Sequence, residues 1–149
     1  MKIYDTLDSG SKYSIGGNLL TLFVGDNYKS PDLTNFVFYY LFEDLKGLQL
    51  DNSFTLGKIK NKIFRGMFSG CTNITNIPAN IFSEVTFTEN SCDGMFSGCT
   101  SITNIPENLF GTLNLPNLCC RSMFQGCTSI TNIPENLFRN VLLSESSLV

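Results

Sequence analysis

The chain has no histidine and no tryptophan, and only 15% of its 149 residues are charged. Without histidine, a cysteine or serine nucleophile lacks its usual base, and the commonest zinc ligand is missing. No CxxC pair occurs either, so neither a metal site nor a cofactor is expected. Lys and Arg number 10 against 13 Asp and Glu, a net charge of −3. Only Lys58, Lys60, Lys62 and Arg65 gather, and they read as a solvated turn face, so no nucleic-acid partner is expected. No apolar run reaches the roughly 18 residues that a membrane-spanning helix needs, so membrane insertion is not expected. The opening MKIYDTLDSGSKYS has no apolar stretch, so it does not read as a secretory signal.

What the chain does have is repetition. Residues 67–82 read MFSGCTNITNIPANIF, 95–110 read MFSGCTSITNIPENLF and 123–138 read MFQGCTSITNIPENLF, evenly spaced with no insertion or deletion between copies. A fixed period of that length marks stacked units, each of which buries its apolar face only against its neighbours. Cys92, Met95, Phe96 and Cys99 lie at i, i+3, i+4 and i+7, which predicts one face of a short helix. Gly70, Gly98 and Gly126 stand where a left-handed residue would end that helix. The β-branched Thr-Asn/Ser-Ile-Thr-Asn-Ile stretch predicts a short strand, stopped by Pro78, Pro106 or Pro134. A second helical turn is expected after each proline, with Glu107 and Glu135 at its start. The fold class expected is therefore an α/β solenoid, a leucine-rich-repeat-like coil with short parallel strands and short helical turns.

Cys71, Cys99 and Cys127 recur at the same interval, as do Cys92 and Cys120. Stacked in register about 4.8 Å apart, they read as a ladder of free, apolar thiols rather than as disulfides. Free thiols point to a reducing compartment during folding. Cys119 fits neither ladder.

The expected organisation is a lead-in at 1–11, an N-terminal cap with a degenerate repeat at 12–63, three repeats at 64–143 and a tail at 144–149. Lys12–Ile15 and Leu19–Val24, joined at Gly16-Gly17-Asn18, predict a β-hairpin in the cap. The aromatic run 36–42 predicts the start of the degenerate repeat, with Tyr40-Leu41-Phe42 preceding Gly66-Met67-Phe68 by slightly less than one period. The array then stops without a fourth MFxGC unit. An uncapped end exposes a rung of core, so either the tail or a partner is expected there, including a homo-oligomer through that end.

Once core and punctuation are subtracted, few residues remain to carry function. Glu107 and Glu135 are spaced by repetition, not gathered on a substrate, and no catalytic residues are expected. Thr75, Ser101, Thr103, Asn104, Ser129, Thr131 and Asn132, with Asn76, form a polar column expected to meet a surface glycan or a protein. For the asparagines the stronger reading is that they satisfy backbone groups at the bend; for the threonines the two readings stand equal.

The repeat MFSGCTSITNIPENLF resembles that of the BspA-type leucine-rich-repeat family, whose units carry an MFxGCTSLT core. GGNLLTLFVGDNY, with FYYLF and LKGLQL, resembles the segment that precedes those repeats in gut bacterial and phage members. The resemblance covers roughly 15–143. It implies binding or assembly and no reaction. The protein would be a virion component, folded in the host cytoplasm, whose partners are other virion subunits or the host surface. A ligand-binding fragment of a cell-surface adhesin is the alternative. Two features depart from the family: the larger β-rich region before the cap is missing, and only three full repeats are present.

Overall fold

The computed structural model describes residues 11–19, 38–59 and 64–143. They contain four short strands: β1 (Tyr13–Ile15), β2 (Leu48–Leu50), β3 (Asn114–Leu115) and β4 (Leu142–Leu143). β1 pairs with β2 and β3 with β4, both parallel. There is no α-helix among the described residues. The expected α/β solenoid with helical turns, the leucine-rich-repeat-like coil, is therefore corrected to a stack built almost entirely of turns.

The helix fails for a backbone reason. Asn90, Gly94 and Gly98 have φ of 58°, 61° and 73°, and Leu118, Ser122 and Gly126 repeat this at 54°, 51° and 73°. One left-handed residue in every four interrupts the i→i−4 bonds that define an α-helix. Glycine adopts that conformation freely, which explains Gly94 and Gly98. Between these points the chain closes tight turns, with the N–H of Met95 donating to Cys92, Ser97 to Gly94 and Cys99 to Phe96.

The alternate N–H groups point to the next repeat. Those of Cys92, Gly94, Phe96 and Gly98 donate to the carbonyls of Cys119, Arg121, Met123 and Gln125 at 2.8, 2.9, 3.0 and 2.7 Å. Gly66, Phe68 and Gly70 donate in the same way to Asp93, Met95 and Ser97, and Tyr40, Phe42 and Asp44 to Arg65, Met67 and Ser69. Four rungs are thus joined by rows in which one side gives only donors and the other only acceptors.

Side chains follow the rows. Phe42, Phe68, Phe96 and Phe124 form one column of near-parallel rings with centroids 5.5, 5.4 and 5.9 Å apart. Phe82, Phe110 and Phe138 form a second, at 6.0 and 5.4 Å. The stripe Cys92, Met95, Phe96, Cys99 is buried throughout, although on turns and not on a helix. The thiols of Cys71, Cys99 and Cys127 donate to the carbonyls of Phe42, Phe68 and Phe96 at 2.9, 3.0 and 3.1 Å, so each cysteine ties its rung to the one before. All six cysteines are free and buried.

Other local expectations are also corrected. The Thr-Asn/Ser-Ile-Thr-Asn-Ile segments are irregular, not strands, and the segments after the prolines are turns, not helices. Isoleucine burial holds these segments in place without a ladder: Ile74, Ile77, Ile102 and Ile105 are all in the core. In the cap, β1 has β2 as its partner, and the parallel pairing continues as Asn18 bridges Thr55. A hairpin is not seen in 11–19, and the rest of its second arm lies outside the described residues. So do residues 1–10, the tail, and Lys60 and Lys62.

Candidate functional site

The expected polar column is on the surface. Thr75, Asn76, Thr103, Asn104, Thr131 and Asn132 are exposed, while Ser101 and Ser129 are half-buried. Asn76 donates to the side chain of Asn52 at 2.6 Å, and Asn104 to the hydroxyl of Thr103 at 3.1 Å. These bonds run between side chains, so the reading in which the asparagines satisfy backbone groups has no bond behind it here. Repetition brings the column together as an extended exposed face. Glu107 and Glu135 are exposed as well.

The structure also assembles a site that motif reading missed. Positions 65, 93 and 121 are equivalent in successive repeats and carry Arg, Asp and Arg. The Asp93 side chain is 7% exposed and lies between the guanidiniums of Arg65 and Arg121, whose side chains are 48% and 42% exposed. Its Oδ2 is 3.3 Å from Nε of Arg65 and 2.8 Å from Nη2 of Arg121. Both nitrogens meet one oxygen, which holds the two guanidiniums close together. Tyr40, Ser69 and Ser97 complete a polar cavity of about 430 Å³ around this trio.

The cavity suits an anion. Two guanidiniums against one carboxylate leave a local charge of +1 on a chain whose net charge is −3. The Asp93 hydrogen bond, and then its charge, raise the pKa of Arg121, so that cation persists. Among the described residues neither guanidinium bonds any side chain but Asp93, so several N–H donors remain for a ligand. Guanidinium forks match carboxylate and sulfate oxygens in shape as well as charge. The exposed Tyr40 ring adds a flat apolar wall of the kind a sugar ring covers. The signal available in the sequence was a charge that changes sign from each repeat to the next.

The ends of the stack differ from its interior. A second cavity of about 290 Å³ opens on the last rung, lined by Phe110, Cys120, Phe124, Ile133, Leu137 and Phe138 among others. Cys119, unplaced by the repeat pattern, is fully buried and its carbonyl receives the Cys92 N–H. Its sulfur lies 3.7 Å from that of Cys120. Among the described residues no group of acidic or cysteine side chains could hold a metal ion, and no helix is long and apolar enough to cross a membrane. Comparison with protein-family models, curated proteins and solved structures gives no match.

Proposed function

We propose that this chain is a non-enzymatic binding protein that recognises an acidic surface glycan in the groove of Arg65, Asp93, Arg121 and Tyr40. The observation that carries this reading is the shared contact of two half-exposed guanidiniums with one buried carboxylate oxygen beside an open polar cavity. The resemblance of its repeats to BspA-type proteins supports a biological setting as a phage virion component used in decoration or attachment. The second setting is a fragment of a bacterial surface adhesin. The Thr/Asn face, exposed along three repeats, offers a broader surface for the same kind of partner.

The test compares immobilised polygalacturonate with neutral dextran. Binding to polygalacturonate alone is expected, weakening as salt is raised. Arg65→Ala should weaken it more than tenfold, since a charge-assisted hydrogen bond contributes about 1.5–3 kcal/mol. Arg65 is the right choice because Asp93 keeps its shorter pair with Arg121, so no buried carboxylate is left alone. Thr103→Lys with Thr131→Lys should bind at least as well as the parent. Equal binding to dextran, or full binding by Arg65→Ala, removes the groove from the proposal.

A further inference from the structure

We infer that the groove holds its glycan through one uronic acid ring, which lies over Gly94 beside the Tyr40 side chain. This rests on the glycan reading above and adds to it the place of the ring and the class of sugar.

The repeat itself marks the place. Positions 40, 66, 94 and 122 are equivalent and carry Tyr, Gly, Gly and Ser. All are left-handed, with φ of 50°, 59°, 61° and 51°. A β-carbon placed on Gly66 would run into Cδ1 and Cε1 of Tyr40, so the Tyr40 ring already fills the space that a side chain on Gly66 would use. A β-carbon placed on Gly94 would enter the equivalent space one rung on. There, apart from its chain neighbours, the nearest atom among the described residues is Cβ of Ser97, 3.9 Å away. Accordingly Gly66 is buried and Gly94 half-buried. One ring-sized place is filled by the protein and the next is open. Ser122 bounds the open place on its far side, and Tyr40, Gly66, Gly94 and Ser122 all line the cavity of about 430 Å³.

Backbone conformation alone does not demand glycine at position 94, because Tyr40, Asn90 and Ser122 hold the same conformation with side chains. What Gly94 provides is space. Tyr40 is the converse: a bulky aromatic in the left-handed region is uncommon, and strained residues of that kind cluster at ligand clamps.

Charge and spacing select the occupant. Arg65 and Arg121 both reach Asp93, the chain neighbour of Gly94, so their guanidiniums meet at the edge of the open place. An acid group carried directly on a ring over Gly94 falls beside them. In the phenylalanine columns one rung separates ring centroids by 5.4–6.0 Å, which is contact distance for neighbouring rings. A ring one rung beyond that of Tyr40 therefore touches it. A uronate supplies both features, an apolar ring face and a ring-borne carboxylate, whereas a neutral hexose lacks the second.

The experiment titrates trigalacturonate into the full chain. Nuclear Overhauser contacts are expected from its ring protons to the α-protons of Gly94 and to the Tyr40 ring. Gly94→Asn fills the open place in a conformation that Asn90 already adopts at φ 58°. It should keep an unfolding midpoint close to the parent's and bind about tenfold more weakly or worse, since the ring contact and the guanidinium contact are lost together. Tyr40→Gly suits the backbone but removes the ring contact, and it should bind roughly two- to tenfold more weakly. If the parent binds while Gly94→Asn binds equally well, or if no contact reaches Gly94, the inference is overturned and the glycan reading stands. Dextran sulfate bound as tightly as polygalacturonate would also overturn it, by showing that charge alone is read. A parent that binds neither polymer removes the glycan reading itself, and the inference with it.

Discussion

Phe96→Ala is expected to cost about 3–5 kcal/mol, the loss typical of a phenylalanine deleted from a packed core. Its ring is fully buried between Phe68 and Phe124, near-parallel to both at 11° and 6°. Removing it deletes two ring contacts, each contributing about 0.5–1.5 kcal/mol beyond area, and opens a gap between rungs. The backbone rows on either side of Phe96 resist collapse into that gap, because their spacing is set by hydrogen bonds at 2.7–3.0 Å. Small domains have only about 5–15 kcal/mol to lose, so urea unfolding should move to a much lower midpoint. Phe124→Ala is the internal comparison. That ring has one stacked neighbour and is half-buried, and it should cost about half as much. Equal losses at the two positions would show that stability does not depend on sandwiching between rungs.

That contrast separates what sequence pattern reports from what it does not. The spacing Cys92, Met95, Phe96, Cys99 identifies which side chains are buried, and all four are. It does not identify the backbone that buries them, because successive turns can place i, i+3, i+4 and i+7 inward as a helix does. The distinguishing signal was a glycine pair one helical turn apart, Gly94 with Gly98 and Gly66 with Gly70. Two left-handed positions so close leave no room for a helical turn between them. Likewise, β-branched Thr and Ile favour a strand only where a neighbouring segment supplies a ladder, and in the repeats the cross-rung bonds are concentrated in the glycine-containing segment. The pairing of β1 with β2 joins positions far apart in the chain, Tyr13 with Leu48, and leaves no local trace in composition. The groove was hidden differently. Its residues are equivalent in the repeat but unlike in charge, so they drop out when repeats are compared for what they share. Alternation along a stacked column is itself a contact signal, because opposite charges one rung apart attract while three alike would repel.

Raising the pH above about 9 should unfold the protein steeply, for a reason held in the cysteine ladder. Burial pushes the Cys71 thiol from 9.0 up to about 12. Cys92, Cys99 and Cys127 rise by burial, and Cys120 rises first through its hydrogen bond to Cys119 and then through burial. In each case the folded state holds the proton more tightly than the unfolded chain does. Below the unfolded value both states are protonated and stability does not depend on pH through these groups. Above it the unfolded chain sheds protons that the folded state keeps, so stability falls until the folded value is passed. One such thiol costs about 1.4 kcal/mol per pH unit. Five acting together exceed the whole stability of an ordinary domain, about 5–15 kcal/mol, within roughly one to two units. Urea midpoints measured from neutral to strongly alkaline pH should stay level and then drop. Tyrosine and lysine titrate in the same range, so the assignment rests on the combined variant Cys71→Ala, Cys99→Ala. The carbonyls these thiols contact, on Phe42 and Phe68, also receive the N–H groups of Leu45 and Cys71, so the variant leaves no acceptor unpaired. It should start from a lower neutral stability and fall with about three-fifths of the parent's slope, since Cys92, Cys120 and Cys127 remain. An unchanged slope would move the cause from the thiols to other groups, whereas one reduced by about two-fifths would show that the ladder joining the rungs also sets the alkaline limit of the fold.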